Sequence, residues 1–124
     1  MKVLLIEDHA GLARISCDLL RGIHGHEVEH AITGKDALIA AKKNIPDIVL
    51  LDLSLPDMHG YRVAEQLRED PRFDQTILVA LTGYGMTGAP ERSKAVGIDA
   101  HYRKPMDFSE LAQLKRIRAQ TAVD

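Results

Sequence analysis

The chain has 124 residues, with 16 basic side chains against 18 acidic ones and a formal net charge of −2; that suffices for one domain with a real core and leaves little room for a second. The charge supplies none of the basic field that nucleic-acid binding requires, and no apolar run approaches the roughly 18 residues of a membrane span, so contact with DNA or a bilayer is not expected. A single cysteine, Cys17, excludes an intrachain disulfide, and the opening Met1-Lys2-Val3-Leu4-Leu5-Ile6 turns acidic too soon for a secretory signal, so a cytoplasmic protein is the expectation.

Val3 to Ile6 reads as a strand and ends in the acidic pair Glu7-Asp8. Leu12, Ile15, Leu19 and Ile23 then recur at helical spacing, with Gly22 and Gly25 as the stop, and Cys17 falls off that stripe. A short second strand is expected from Glu27 to Ala31. Thr33, with Asp36 three residues on, forms a capping pattern for a helix whose inner face is Ala37, Leu38 and Ala41, ended before Pro46. Asp47 to Leu51 is the third strand, and the unbroken run Ile48-Val49-Leu50-Leu51 marks it as buried on both faces. Beyond Asp52 a loop holding Pro56 and Gly60 leads to a helix with apolar positions Val63, Ala64 and Leu67, stopped near Asp70-Pro71.

Thr76 to Leu81 is the fourth strand. The glycine-rich run from Gly83 to Gly88, expected to be mobile, precedes a short helix from about Pro90 to Val96. Asp99 to Arg103 is the fifth strand. Pro105 forces a turn after it, and Asp107 with Glu110 caps a last helix bearing Leu111, Leu114 and Ile117, followed by a frayed tail at 119–124. Strands and helices in regular alternation predict a parallel sheet covered on both faces, in a single domain over 1–124.

The strand ends carry the chemistry. A carboxylate at the end of a strand as apolar as the third is costly unless it is satisfied or used. In an open parallel sheet the C-terminal strand ends converge on one crevice, which would bring Glu7, Asp8, Asp52, Thr82 and Lys104 together. The three carboxylates form an all-oxygen set suited to a hard divalent ion that keeps several waters, Mg²⁺ being the common cellular case. One of them is a candidate nucleophile toward phosphorus, with Asp52 the choice because it ends the most buried strand. Lys104 would balance the remaining charge and hold a phosphoryl oxygen, and Thr82 could bond another. By contrast His24, His26 and His30 read as solvated, as do Arg62, Arg68, Arg72, Arg92 and Arg103. Glu7 and Asp8 carry the alternative reading of caps for the first helix.

Ile6-Glu7-Asp8, Leu51-Asp52-Leu53-Ser54-Leu55-Pro56-Asp57-Met58-His59-Gly60, Leu81-Thr82-Gly83 and Lys104-Pro105, in that order and at these separations, resemble the receiver domain of two-component response regulators. The resemblance covers Lys2 to about Arg118. It implies a flavodoxin-like (βα)5 three-layer sandwich with sheet order 2-1-3-4-5. It further implies Asp52 as phospho-acceptor and Mg²⁺ held by Glu7, Asp8, Asp52 and the backbone carbonyl of Ser54. Thr82 and Lys104 would contact the phosphoryl group. The donor would be a histidine kinase or histidine phosphotransfer protein, and the output would be contact with a downstream protein. Such a domain is a signalling phospho-acceptor that hydrolyses its phosphate slowly, not an enzyme with a diffusing substrate.

The chain departs from the family pattern at His101, where receivers usually carry Tyr or Phe as a switch residue, and in the glycine-rich run after Thr82. An imidazole at 101 that turned inward would make the switch sensitive to pH. Three other readings stand beside the free receiver. The chain could be the receiver portion of a hybrid histidine kinase, although Met1 favours a free-standing start. It could be a Mg²⁺-dependent phosphatase using Asp52, but the second carboxylate such enzymes place two residues on is here Ser54. It could be a pseudo-receiver, a binding module that is never phosphorylated, which His101 keeps open.

Overall fold

A computed structural model describes residues 1–83 and 90–114 of the chain. Five strands, β1 (Lys2–Ile6), β2 (Glu27–Ala31), β3 (Ile48–Asp52), β4 (Ile77–Thr82) and β5 (Ala100–Arg103), form one sheet. Every pairing is parallel and the spatial order is β2-β1-β3-β4-β5, the flavodoxin-like order expected. Between them lie α1 (Ala10–Gly22), α2 (Gly34–Lys43), α3 (Gly60–Arg68) and α4 (Pro90–Ala95). No helix among the described residues is long and apolar enough to cross a membrane. The glycine-rich run from residue 84 on, Tyr84 within it, Ile117 and the tail at 119–124 lie outside the described residues.

Alternation along each strand splits the core into two layers. Leu4, Ile6, Val49, Leu51, Leu78 and Ala80 face α2 and α3, where Ala37, Ala41, Val63, Ala64 and Leu67 meet them. Val3, Leu5, Ile48, Leu50, Ile77 and Val79 face the other way, onto Ala13, Cys17 and Leu20 of α1 and onto Phe108 and Leu111. β3 is buried along its whole length, as its sequence demanded.

The last three strands begin one residue later than expected, and the side chain of each preceding residue bonds another segment. Asp47 Oδ2 accepts from the Lys2 amide at 2.8 Å, and the Thr76 hydroxyl donates to the Pro46 carbonyl at 2.8 Å. Asp99 Oδ2 accepts from the Leu78 amide at 2.9 Å. β3 also runs one residue further than expected, so Asp52 is the last residue of the strand itself.

The facing of α1 corrects the sequence reading. The helix exists, but its apolar stripe Leu12, Ile15, Leu19 and Ile23 is exposed, Ile15 at 60% and Ile23 at 72%, while Ala13, Cys17 and Leu20 are buried. Small side chains let the helix axis approach the sheet, so the narrow row with Ala13 and Cys17 is the one that docks. Burial also pushes the Cys17 thiol pKa up, which makes it an inert core residue.

Arg68 is likewise not a solvated side chain. Its guanidinium donates to the carbonyls of Gly97, Phe73 and Thr76 at 2.9, 2.7 and 2.9 Å and pairs with Asp99 at 2.8 Å. One side chain thereby ties the end of α3 to both strand entries beside it. Arg68→Met keeps the aliphatic stem and removes the guanidinium donors from those three carbonyls, of which that of Phe73 keeps the Thr76 amide. A loss of about 2–3 kcal/mol is expected, read as a lower urea midpoint with unchanged slope.

Candidate functional site

The C-terminal ends of β1, β3, β4 and β5 bring the predicted residues together. One carboxylate oxygen from each of Glu7, Asp8 and Asp52 lies within 4.8 Å of the others, Glu7 and Asp52 buried and Asp8 exposed. Lys104 Nζ bridges the two buried acids, 2.5 Å from Glu7 Oε1 and 3.0 Å from Asp52 Oδ2. The second oxygen of Asp52 accepts from the Ser54 amide at 3.0 Å. Thr82 is buried at the end of β4, its hydroxyl 3.5 Å from the Tyr102 carbonyl. Lys104 reaches the site because its own amide bonds the Thr82 carbonyl at 2.8 Å, which continues the β4–β5 register past the last strand residue.

His101 pairs with Ala80 in that register and so faces the α3 and α4 layer. Its Nδ1 lies 3.3 Å from Ser93 Oγ on α4. Position 101 therefore carries a ring tied to a helix by a hydrogen bond.

The alternative that Glu7 and Asp8 cap α1 is overturned. The N-cap is His9, whose Nδ1 accepts from the Leu12 amide at 3.1 Å, and Glu7 Oε2 accepts from the His9 amide at 3.3 Å. Asp8 is left to the site. His59 caps α3 in the same way, accepting from the Tyr61 amide at 3.1 Å. Histidine lies outside the usual capping set of Ser, Thr, Asp and Asn, so neither cap was legible in the sequence. Nor was the work of Asp57, whose oxygens accept from the Gly34 and Lys35 amides at 2.8 and 3.0 Å. Those backbone bonds hold the Asp57 carboxyl below its usual pKa and pin the loop after Asp52 to the start of α2. His30, read as solvated, is exposed but donates from Nε2 to the Glu7 carbonyl at 2.7 Å.

The electrostatics of the cluster follow from burial. Burial raises the Glu7 pKa; Lys104 opposes that shift and the neighbouring Asp52 adds to it, leaving the carboxyl above its usual range. Burial disfavours the charged form of Lys104 too, but its bonds to Glu7 and Asp52 outweigh it and hold the ammonium above its ordinary value. A concentrated all-oxygen anionic set, half satisfied by one ammonium, fits a hard divalent cation that retains waters.

Because the folded state favours protonated Glu7, its contribution to stability is present below the unfolded value near 4.5 and is lost as pH rises. Glu7→Gln in EDTA should therefore melt higher than the parent near pH 8, and the advantage should vanish on acidification. Lys104→Met, which leaves two carboxylates facing each other, should lose about 2 kcal/mol at neutral pH, with a smaller deficit in acid. Thermal melts of both variants at about pH 5 and about pH 8 check the pair of signs.

The family model for the response regulator receiver domain matches residues 3–116. The chain is 31% identical over 116 residues to response regulator Rre1 of Synechocystis, a match covering 94% of this chain and 50% of that protein. It is 30% identical over 104 residues to the polar-differentiation response regulator DivK of Brucella ovis, covering 84% of each. The chain thus spans half the length of the Synechocystis relative. Among solved structures, the chemotaxis response regulator CheY4 of Vibrio cholerae superposes with a TM-score of 0.81 at 28% identity, covering 94% of this chain and 97% of that one. The receiver domain of a sensor histidine kinase from Pseudomonas aeruginosa, solved with a magnesium ion in its active-site cleft, gives 0.80 at 26% identity, covering 95% and 97%. With this sheet order and a family match over nearly its whole length, the chain belongs to the response regulator receiver domains.

Proposed function

We propose that Asp52 accepts a phosphoryl group from the phosphohistidine of a histidine kinase or histidine phosphotransfer protein, and that the phosphorylated domain acts as a switch or relay in two-component signalling. The observation that carries this reading is the convergence of Glu7, Asp8 and Asp52 within 4.8 Å on one crevice, with Lys104 bonded to two of them. An Asp52 oxygen attacks phosphorus as the bond from phosphorus to the donor imidazole nitrogen breaks, and the electron pair of that bond returns to nitrogen. Glu7, Asp8, Asp52 and the Ser54 carbonyl would hold Mg²⁺, which screens the charge between attacking and incoming oxygens.

The chain's own groups do the rest. Asp52 is oriented by the Ser54 amide on one oxygen and Lys104 on the other, so the carboxylate is aimed before a donor arrives. Lys104 can pass from the carboxylates to a phosphoryl oxygen with little movement. The 3.5 Å contact of Thr82 with the Tyr102 carbonyl is at the limit of a hydrogen bond, so its hydroxyl turns to a phosphoryl oxygen at small cost. Slow hydrolysis of the acyl phosphate makes this a signalling acceptor and not a turnover enzyme. The downstream partner would be a protein that reads the change at Thr82 and the adjoining strand.

The outward stripe of α1 supplies a surface for the donor. Leu12, Ile15 and Leu19 border a cavity of about 340 Å³ with Lys104, Pro105 and Met106 on its far wall. An apolar helix face carrying the phosphohistidine fits such a surface. A second reading, the receiver portion of a hybrid histidine kinase, is favoured by the likeness to the Pseudomonas aeruginosa kinase receiver; the acceptor chemistry is the same in both.

Incubation with acetyl phosphate and Mg²⁺ should add one phosphoryl mass, absent with EDTA and absent in Asp52→Asn. Persistent failure with acetyl phosphate and with several phosphorylated kinases would establish a pseudo-receiver. Ile15→Glu should leave the acetyl phosphate reaction unchanged and slow transfer from a phosphorylated kinase or phosphotransfer protein about tenfold, the equivalent of roughly 1.4 kcal/mol. Equal rates for parent and variant would remove α1 from the donor surface.

A further inference from the structure

A chain of polar side chains runs across the domain outside the acidic cluster. The Tyr61 hydroxyl on α3 lies 2.9 Å from Ser93 Oγ on α4, and Ser93 Oγ lies 3.3 Å from His101 Nδ1 on β5. Ser93 is 3% exposed and Tyr61 9%, so neither hydroxyl can exchange its partner for bulk water without moving its element. The Arg92 guanidinium lies 5.9 Å over the Tyr61 ring, a second tie between α3 and α4.

One assignment of donors uses every proton within this chain. A phenol and a serine hydroxyl bring one proton each. With a neutral His101 carrying its proton on Nε2, the tyrosine donates to the serine and the serine donates to Nδ1, so each proton is used once. With Nδ1 as donor the serine oxygen accepts from the imidazole, and one hydroxyl proton of the pair, the serine's or the tyrosine's, needs an acceptor outside the chain. The Nε2–H form of the imidazole is the one in which the three side chains satisfy one another without a further acceptor.

Both ends of the chain connect to the site through the backbone. Tyr61 follows Gly60, which packs so closely on the loop after β3 that a Cβ there would lie 2.8 Å from the Asp52 carbonyl oxygen. Its amide and ring rest on His59, the ring centroids 4.6 Å apart. At the other end, His101 pairs with Ala80, two residues before Thr82, and precedes Lys104 by three. Of the two links, the one at 3.3 Å between Ser93 and His101 is the longer and is the one a shift of β5 would break.

We propose that Tyr61, Ser93 and His101 form a relay that holds α4 in one position while Thr82 rests on the Tyr102 carbonyl, and releases it when Asp52 is phosphorylated. His101 then serves as a tethered switch in which a hydrogen bond replaces ring packing, and Tyr61 and Ser93 are its positioning residues. The inference rests on the receiver reading above. Energetically the relay is a two-state element, and phosphorylation shifts it only by favouring the broken link.

The test is NMR of the full chain with and without Mg²⁺ and beryllofluoride, a phosphoryl mimic, on the parent, Ser93→Ala and Tyr61→Phe. Each variant deletes one oxygen and either alone carries the test. In the parent, amides of Glu7, Asp52 and Gly83 should shift on addition, the α4 amides should shift with them, and the His101 ¹⁵N signals should start from the Nε2–H form. In the variants the α4 amides should begin part of the way to their activated positions, their further response should fall below half of the parent's, and the His101 tautomer should become mixed. Site shifts with an α4 response unchanged in both variants, or absent from the parent, would overturn the relay and leave the receiver chemistry standing. No shift at Glu7, Asp52 or Gly83 in the parent would overturn the receiver reading itself, and the relay with it.

Discussion

The ammonium of Lys104, set between Glu7 and Asp52, is the interaction on which this end of the molecule depends. β1 and β3 are hydrogen-bonded neighbours, so the acids that close them cannot separate by more than strand spacing and side-chain reach allow. Two buried carboxylates at that distance repel strongly in a poorly screened environment. The counter-charge comes from a residue 97 positions away in sequence from Glu7, delivered only because β5 pairs with β4 in a register that carries Lys104 past Thr82. Sheet order and site charge are thus one constraint. A cation or a phosphoryl group entering the crevice would change the balance that Lys104 now maintains, and so would act on β5.

Around that pair the acceptor side is stiff. The loop after Asp52 is pinned by Asp57 to the α2 N-terminus, by the His59 cap to α3, and by the bridge between Ser54 and His59. The close seat of Gly60 on the Asp52 carbonyl completes it. The side that carries Thr82 and His101 is held less firmly, by a 3.5 Å contact and a 3.3 Å one. An acceptor that is aimed in advance, beside groups that can change partners at low cost, is the arrangement a switch requires.

The facing of α1 shows how packing distributes function. Docking the helix by Ala13, Cys17 and Leu20 brings it close to the sheet and turns Leu12, Ile15 and Leu19 toward the rim of the crevice. The same choice that fills the core therefore builds an apolar surface beside the acidic cluster. The helix thus carries two apolar rows, one buried in the core and one left exposed.

Much was legible from the chain alone. Alternation of strand and helix signals, the fully apolar run before Asp52, the Thr33 cap and the polar residues closing four of the five strands pointed to a doubly covered parallel sheet and to the polar groups that gather at its C-terminal edge, because backbone periodicity and the cost of a buried charge are local properties. The one-residue shifts at Asp47, Thr76 and Asp99, the histidine caps, the bonds made by Asp57 and Arg68, and the tethering of His101 through Ser93 to Tyr61 were decided by tertiary structure. So was the face of α1 that turns inward, since helical spacing reports that apolar residues share a stripe and carries no information on which stripe the sheet can approach. Each of these depends on which backbone groups and surfaces arrive at a given side chain from distant parts of the sequence, and that is a property of the assembled fold.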